Sequence, residues 1–178
     1  TYTGQIEDSD EYWVHLELNK TAYGGRPDND GIDAISALAT NVRNTPIEDI
    51  ELTHPMRVDR YSLREHGSGA GRNRGGRGSM RKGTLLDDAA VVMTATLSHV
   101  PWGAFEGEDG EEASFWHVSP GEVDEEIYSE TDVVPSDLEQ TTEVDSVSEL
   151  PSLVPRQSLS PGDRIISHGP VSGGYGDP

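Results

Sequence analysis

Glycine and arginine are interleaved in one short segment of this chain, and this pattern is the clearest indication of chemistry. Residues 67–78 read GSGAGRNRGGRG, so three guanidinium groups lie among closely spaced glycines. Glycine lets backbone N–H groups converge on an anion, and arginine binds carboxylates and phosphates through paired hydrogen bonds. The segment therefore predicts an anion-binding loop.

The same segment does not fit the common nucleotide-binding motifs. A P-loop needs GK followed by Ser or Thr, and a dinucleotide fingerprint needs a strand, GxGxxG and a helix. A single RGG at residues 74–76 is compatible with RNA binding. However, no aromatic residue is interleaved with these arginines, and a net charge of -20 repels a phosphate backbone. We therefore expect no nucleic-acid partner.

Two upstream loops contain further candidates. The first, YGGRPDNDG at 23–31, has the oxygen-rich look of a calcium loop but lacks its acid spacing and its terminal glutamate. A turn held by Asx hydrogen bonds is the simpler interpretation of it. The second, NVRNTP at 41–46, carries Arg43, which can bind a ligand carboxylate or an acid of the protein itself.

These loops yield a defined set of candidates, while the catalytic residues stay unknown. The candidate substrate or interface residues are Asp30, Arg43, Asn44, Arg60, Arg64, Arg72 and Arg74, and the loop glycines are Gly69, Gly71, Gly75 and Gly76. Asp30 and Asn44 are expected to organise their loops. The alternative for each arginine is structural, a pair with Glu48, Glu51 or Glu65 that holds β loops together. The six histidines are dispersed without metal-site spacing, so no metal site is predicted.

Composition limits the class of protein. The 178 residues include no cysteine, which excludes disulfides and a cysteine nucleophile and favours a cytoplasmic location. No long apolar run and no signal peptide are evident, so no membrane contact is expected. Thirty-three acids face thirteen bases, of which two are lysines. This balance fits equally a salt-adapted, halophilic protein, for which the melting temperature should rise up to molar salt, and an ordinary acidic protein with a disordered tail.

The elements that must position these loops are predicted to be mainly β, or α+β at most, with glycine-rich loops on a sheet or sandwich core. One brief helix is expected at Gly31–Thr40, where DAISALA occurs. Alternating or buried apolar runs predict strands. The predicted strands are Tyr12–Leu18, Ile47–Leu52, Met56–Leu63, Ala89–Leu97, Ser114–Val118 and Asp163–His168.

The charge divides the chain into three regions. Residues 1–121 form the β-rich region, and residues 153–178 supply a final strand and the GGYGDP tail. Between them, residues 122–152 contain acids, Ser, Thr and Pro but no lysine or arginine. So little apolar surface predicts an acidic, irregular linker or insertion.

Several motifs in order resemble the hydantoinase B/oxoprolinase family. They are GGRPDNDG, NVRNTPIE, MRVDRYSLRE, GSGAGRNRGG, PWG and the final GPVSGGYGDP. That family includes the B-type components of N-methylhydantoinases, 5-oxoprolinases and related components of acetone and acetophenone carboxylases. Two loops depart from the family pattern, GGRPDNDG in place of GARPG and EHGSGAGR in place of DSGGAGR. The glycines and arginines are kept, so the departures bear on substrate preference rather than on loop architecture.

The resemblance implies a C-terminal portion, or a small subunit, of a complex that hydrolyses a cyclic amide. Its partners would be a hydantoinase A-like subunit and the N-terminal part of a hydantoinase B-like protein. The family's metal ligands and any ATP site would lie on those partners, so no cofactor is expected in this chain, which should be inactive alone. Two alternatives remain, a subunit of an ATP-dependent ketone carboxylase and a non-catalytic assembly module.

Overall fold

The computed structural model describes residues 1–6, 9–36, 42–94, 99–120, 128 and 147–178. No helix in these ranges is long and apolar enough to cross a membrane. The elements within them, in chain order, are β1 Tyr2–Gln5, β2 Tyr12–His15, α1 Ile47–Thr53, β3 Met56–Leu63, β4 Ser79–Leu85, β5 Ala89–Thr94, β6 Ser114–Val118, β7 Val147–Leu150, β8 Leu153–Leu159 and β9 Arg164–His168.

The strands form two antiparallel sheets, which confirms the mainly β prediction. The first sheet has the order β2-β1-β5-β8 and the second the order β3-β4-β9-β6-β7. One apolar cluster draws side chains from both sheets, because burying apolar surface is the main favourable term in folding. Its buried members are Tyr2, Trp13, Val91, Met93, Val154 and Leu159 from the first sheet and Met56, Leu85 and Ile165 from the second.

The prediction of a strand over Ile47–Leu52 is wrong, because this segment lies within α1. Pro46 precedes the helix, and Glu48 and Asp49 lie in its first turn, where carboxylates interact favourably with the positive end of the helix dipole. The isoleucines are three residues apart, so they share a helix face, and Ile50 is buried. Their spacing follows the period of a helix and not the alternation of a strand.

The helix predicted over Gly31–Thr40 is also wrong for its described part, residues 31–36. Ala34 has a φ of 41°, which a right-handed helix does not allow, and Ile35 forms an isolated bridge with Thr21. The Ala34 N–H donates instead to the Arg77 carbonyl at 2.7 Å. Tertiary hydrogen bonds therefore override the local propensity here. Residues 37–40 lie outside the described residues.

The other predicted strands are found, with some changes at their ends. Met56–Leu63 and Ser114–Val118 are confirmed as predicted, and the last strand begins one residue later than expected, at Arg164. The strand from Tyr12 ends at His15, and the strand from Ala89 is described as far as Thr94.

Four strands were not predicted, namely β1, β4, β7 and β8. The most consequential is β4, because it lies between β3 and β9 and contains the buried residues Arg81 and Lys82. Lys82 is fully buried, where its Nζ donates to the Tyr128 carbonyl. A prediction that relies on apolar periodicity misses a central strand when that strand contains consecutive charged residues.

The acidic segment is described in part. Residues 147–150 form β7, which pairs with β6, so this end of the segment is regular rather than irregular. Tyr128 is buried against Val118 and Ile166 of the second sheet. The other residues from 122 to 146 lie outside the described residues, and the division at 122 and 152 stays a prediction.

Candidate functional site

Glycine-rich segments pack side by side into a unit that we call the glycine bundle. It comprises residues 23–32, 67–78, 101–111 and 169–178. Most of its glycines contact neighbouring backbone so closely that no side chain fits, and Gly24 is an exception. A Cβ on Gly75 would lie 1.7 Å from the Ser172 carbonyl oxygen, and a Cβ on Gly174 would lie 2.0 Å from the Ala70 oxygen. Since protein interiors do not tolerate such overlap, these glycines are required by packing.

Backbone hydrogen bonds connect the segments of the bundle. The Gly69 N–H donates to the Ser172 carbonyl at 3.0 Å, and the Gly76 N–H donates to the Tyr23 carbonyl at 3.0 Å. The Gly75 N–H donates to the Gly69 carbonyl at 2.9 Å. Three of the four predicted loop glycines thus use their N–H groups within the protein. The fourth, Gly71, contributes close packing, since a Cβ there would lie 2.7 Å from the backbone nitrogen of Tyr175.

Two arginines of the bundle share one carboxylate, that of Asp33. Arg74 Nη1 lies 2.9 Å from Oδ1, and Arg77 donates to Oδ2 from Nε at 3.2 Å and from Nη2 at 3.1 Å. The Arg77 backbone N–H also donates to Oδ1, at 2.8 Å. Burial raises the pKa of Asp33, but the hydrogen bonds from the two arginines and the charge of Arg74 outweigh it and hold the pKa at about 2. The carboxylate is therefore ionised throughout the physiological range.

Asp30 and Arg72 connect the first loop to the arginine segment. Asp30 Oδ1 accepts the Arg74 backbone N–H at 3.0 Å. Arg72 Nη2 donates to the Pro27 carbonyl at 3.3 Å, and its guanidinium lies 6.0 Å from the centre of the Tyr175 ring. The structure therefore brings Asp30, Arg72 and Arg74 together.

Arg64 holds the bundle to the end of β3. Its side chain is buried and pairs with Glu111, and its Nη1 donates to the carbonyls of Glu112 at 3.1 Å and Gly169 at 3.2 Å. The arginine–carboxylate pairs foreseen as the structural alternative thus exist for Arg64 and Arg74. Their partners are Glu111 and Asp33 rather than the glutamates proposed from the sequence.

The remaining candidates lie outside the bundle. On β3, Arg60 donates from Nε to Ser62 Oγ at 3.3 Å, and the Asn44 amide donates to the Tyr61 hydroxyl at 2.7 Å. Arg43 is exposed and has no hydrogen bond or ion pair within the described ranges. The candidate residues predicted from the sequence are therefore divided between the glycine bundle and the region of β3 and residues 43–44 outside it.

A second group of polar side chains, absent from the sequence candidates, is buried where Glu17, in the segment after β2, meets Arg81 of β4. Arg81 pairs with Glu17, and its guanidinium stacks 4.2 Å from the centre of the Tyr61 ring. Beside them the His15 and His54 rings lie 5.1 Å apart. Burial is the main factor that lowers the pKa of each histidine, and positive charge nearby adds to it.

Sequence reasoning missed Asp33, Lys20 and Arg81. Asp33 lay in the segment predicted to be a helix, and Arg81 lay in the unpredicted strand β4. Lys20 could have been selected from the sequence because lysine is rare in this chain, which has two lysines and 33 acids.

No group of three or more His, Asp or Glu side chains in the described ranges could hold a metal ion. The described residues therefore offer no ligand set for the metal that the family resemblance implies. The assignment of that metal to another part of the complex stays a prediction.

Comparison with known proteins gives a match along the whole chain. The family model described as Hydantoinase B/oxoprolinase matches residues 1–178. The putative B component of a D-/L-hydantoinase from a Pseudomonas species is 35% identical over 178 residues, which are 99% of this chain and 26% of that protein. The 5-oxoprolinase of Dictyostelium discoideum is 30% identical over 103 residues, which are 57% of this chain and 8% of that protein.

Two solved structures share the fold. Nucleotide-free acetone carboxylase matches with a TM-score of 0.71 at 17% identity, over 99% of this chain and 25% of that one. The ATP-dependent caprolactamase from Pseudomonas jessenii matches with a TM-score of 0.71 at 22% identity, over 99% of this chain and 28% of that one. The chain thus spans about a quarter, or less, of the length of each of these four proteins.

Proposed function

The chain belongs to the hydantoinase B/oxoprolinase family, and on this basis we propose that it is the C-terminal part, or a small subunit, of a complex that hydrolyses a cyclic amide. The substrate class is a hydantoin, an oxoproline or a lactam. The observation that carries the proposal is the 35% identity to a hydantoinase B protein, which covers nearly all of this chain but about a quarter of that protein. The remaining parts of the machinery are supplied by partners.

Cyclic amides are stable, so their hydrolysis needs an activated water and stabilisation of the oxyanion that develops on the carbonyl. A metal ion, and ATP where it is used, would supply the activation from the N-terminal part of the hydantoinase B-like protein and from the A-like subunit. This chain supplies structure: the glycine bundle is a wall whose position is fixed by backbone packing. Arg64, Arg72 and Arg74 brace that wall through Glu111, Pro27 and Asp33.

A rigid wall has a catalytic consequence. Groups that stabilise an oxyanion act best when they are held in place before the reaction, because no reorganisation is then needed. The glycines let several segments approach to backbone contact, and the arginine–carboxylate pairs fix the surface they form. In the proposed complex this surface lies against the cavity or the subunit interface.

The test is reconstitution with the partners. The 178-residue chain, its A-like partner and the rest of the hydantoinase B-like protein are combined, and ring opening of hydantoin, 5-oxoproline and caprolactam is measured with and without ATP. We expect the complete mixture to hydrolyse one of these rings and every mixture without this chain to be inactive. Hydrolysis by the purified chain alone would contradict the proposal, as would native mass spectrometry that finds the chain without partners in its source.

The carboxylase alternative rests on the fold shared with acetone carboxylase, which matches with the same TM-score as the caprolactamase. The same mixtures distinguish it when bicarbonate and acetone replace the cyclic amide. ATP-dependent fixation of labelled bicarbonate, without ring opening, would assign the chain to a carboxylase. A complex that assembles but performs neither reaction would favour the non-catalytic assembly module.

A further inference from the structure

A cavity of about 240 Å³ lies outside the glycine bundle, and we call it the basic pocket. Its lining comes from the end of β2 and the segment that follows, from residues 42–45 and from β4. The charged residues of this lining are Lys20, Arg43, Arg81 and Glu17. Three cations therefore face one carboxylate, in a chain whose net charge is -20.

The burial of Lys20 without a carboxylate partner is the first observation that points to an anionic ligand in the pocket. It is 7% exposed, and its Nζ donates to Ser36 Oγ at 2.7 Å and to the Val42 carbonyl at 3.1 Å. Both acceptors are neutral, and Lys20 has no carboxylate partner in the part of the chain that the structure describes. Removing an ammonium group from water without a counter-ion is costly, so buried charges are normally paired.

Arg43 is the second sign. Its neighbour Val42 accepts from Lys20, so the chain places the two cations beside the same cavity. Arg43 has no hydrogen bond or ion pair among the described residues. Its planar fork, which matches a carboxylate with two parallel hydrogen bonds, is thus available.

The other charges at the pocket are already paired. Glu17 binds Arg81, which also stacks on Tyr61, so this pair leaves no net charge. His15 also lines the pocket, and burial keeps it neutral at about pH 7 by lowering its pKa. Two positive charges, those of Lys20 and Arg43, therefore remain without a counter-ion among the described residues.

We propose that the basic pocket binds a small organic carboxylate, with Arg43 holding the carboxylate oxygens and Lys20 supplying the second charge. Leu16, Leu18 and Val42 also line the cavity and give an aliphatic portion of the ligand an apolar contact. A cavity of about 150 Å³ holds benzene, so the observed volume suits a short-chain acid. The site follows from the side chains of this chain alone, whether or not the complex hydrolyses a cyclic amide.

The experiment is a titration of the 178-residue chain with pentanoate, followed by backbone amide NMR at constant ionic strength. We expect shifts confined to residues around the pocket, with dissociation in the roughly millimolar range that a single charged contact allows. Arg43→Gln should weaken binding about tenfold, since a charge-assisted hydrogen bond is lost. Arg43 is exposed and has no partner within the described ranges, so this variant should fold normally.

Arg156→Gln is the matched control, because Arg156 is exposed on β8 and its loss changes the net charge equally. It should leave the affinity within about twofold, as expected for a remote, screened charge. Equal weakening by both substitutions would overturn the proposal, as would the absence of shifts up to about 50 mM pentanoate. Inorganic phosphate that displaces pentanoate at lower concentration would overturn the assignment to carboxylates. Weakening by Arg43→Lys as well would support the paired hydrogen bonds.

Discussion

The glycine bundle and the basic pocket use the same kind of residue in opposite ways. In the bundle Arg74 and Arg77 share Asp33, and Arg64 pairs with Glu111. In the pocket Arg43 has no acceptor, and Lys20 has neutral acceptors, within the described ranges. Paired cations stabilise the fold, whereas unpaired ones are available to a ligand. The role of an arginine therefore depends on what tertiary structure places beside it.

The two regions also differ in how they are built. The bundle consists of backbone packed against backbone, which leaves no space for a side chain at most of its glycines. The pocket is lined by side chains around an open volume of about 240 Å³. Mutations should therefore damage stability in the bundle and ligand binding in the pocket.

The largest effect is expected from a side chain forced into the bundle. Gly75→Val places a Cβ 1.7 Å from the Ser172 oxygen, so the segments must separate. We expect a loss of about 3 kcal/mol in the free energy of unfolding, measured by urea denaturation. Gly24→Ala is the control within the same bundle, because its Cβ would lie at an ordinary contact distance of 3.5 Å from the Gly173 oxygen. Similar losses for both variants would contradict the close-packing interpretation.

As the pH is lowered, the protonation of the histidines near the basic pocket should reduce stability before the protonation of Asp33 in the bundle does. The folded pKa values of His15 and His54 lie below 6.5, so below that pH the unfolded chain binds more protons. Their contribution is present above pH 6.5 and is lost as the pH falls towards the folded values. The free energy of unfolding should fall by roughly 1.4 kcal/mol per pH unit for each histidine involved. His54→Asn should flatten this slope, which urea denaturation at each pH measures.

The bundle should lose its ion-pair stabilisation at much lower pH. Asp33→Asn removes the charge that Arg74 and Arg77 share, and we expect it to cost about 1 to 2 kcal/mol, since these arginines are partly screened by solvent. The pKa of Asp33 is lowered from 3.8 to about 2. Its contribution is therefore present above pH 3.8 and disappears as the pH falls through about 2. Urea titrations of both proteins should converge there. At pH 7 the control Asp28→Asn, a substitution of an exposed residue, should change the free energy of unfolding by less than about 0.5 kcal/mol.

The smallest effect is expected from the unpaired arginine. Arg43→Gln should change the free energy of unfolding by less than about 0.5 kcal/mol, because the guanidinium has no partner to lose among the described residues. Arg74→Gln, with the same change of charge, should cost about 1 kcal/mol. If urea denaturation found the two substitutions equally costly, the distinction between a bracing and a ligand-binding arginine would fail.

Much of the fold could be predicted from residue patterns. Strands such as Met56–Leu63 alternate apolar and polar residues, and this segment is a strand in the structure. The errors have two causes. Ile47 and Ile50 are three residues apart, the spacing of a helix face rather than of a strand, so that segment was assigned the wrong period. Asp33 lies in an apparent helix that hydrogen bonds to its arginine partners replace with a bend. The buried charges of β4 gave no apolar signal at all.

The sequence predicted one of the two regions described above, the glycine bundle, but not the other. The glycine and arginine segment identified the bundle, because runs of glycine imply close backbone approach and few other residues can replace them. Its carboxylate partners could not be named, since Asp33 and Glu111 lie 41 and 47 residues away from Arg74 and Arg64. The basic pocket was not foreseen, although Arg43 and Asn44 were among the candidates.

Residue types and their order are enough to establish the family, the mainly β class and the importance of the successive glycine motifs. Which cations are paired became evident only in the folded chain. An ion pair depends on distances of about 3 Å between residues that are remote in the sequence, and no local pattern encodes such distances. That pairing separates Arg74, which lies in the glycine bundle, from Arg43, which lines the basic pocket.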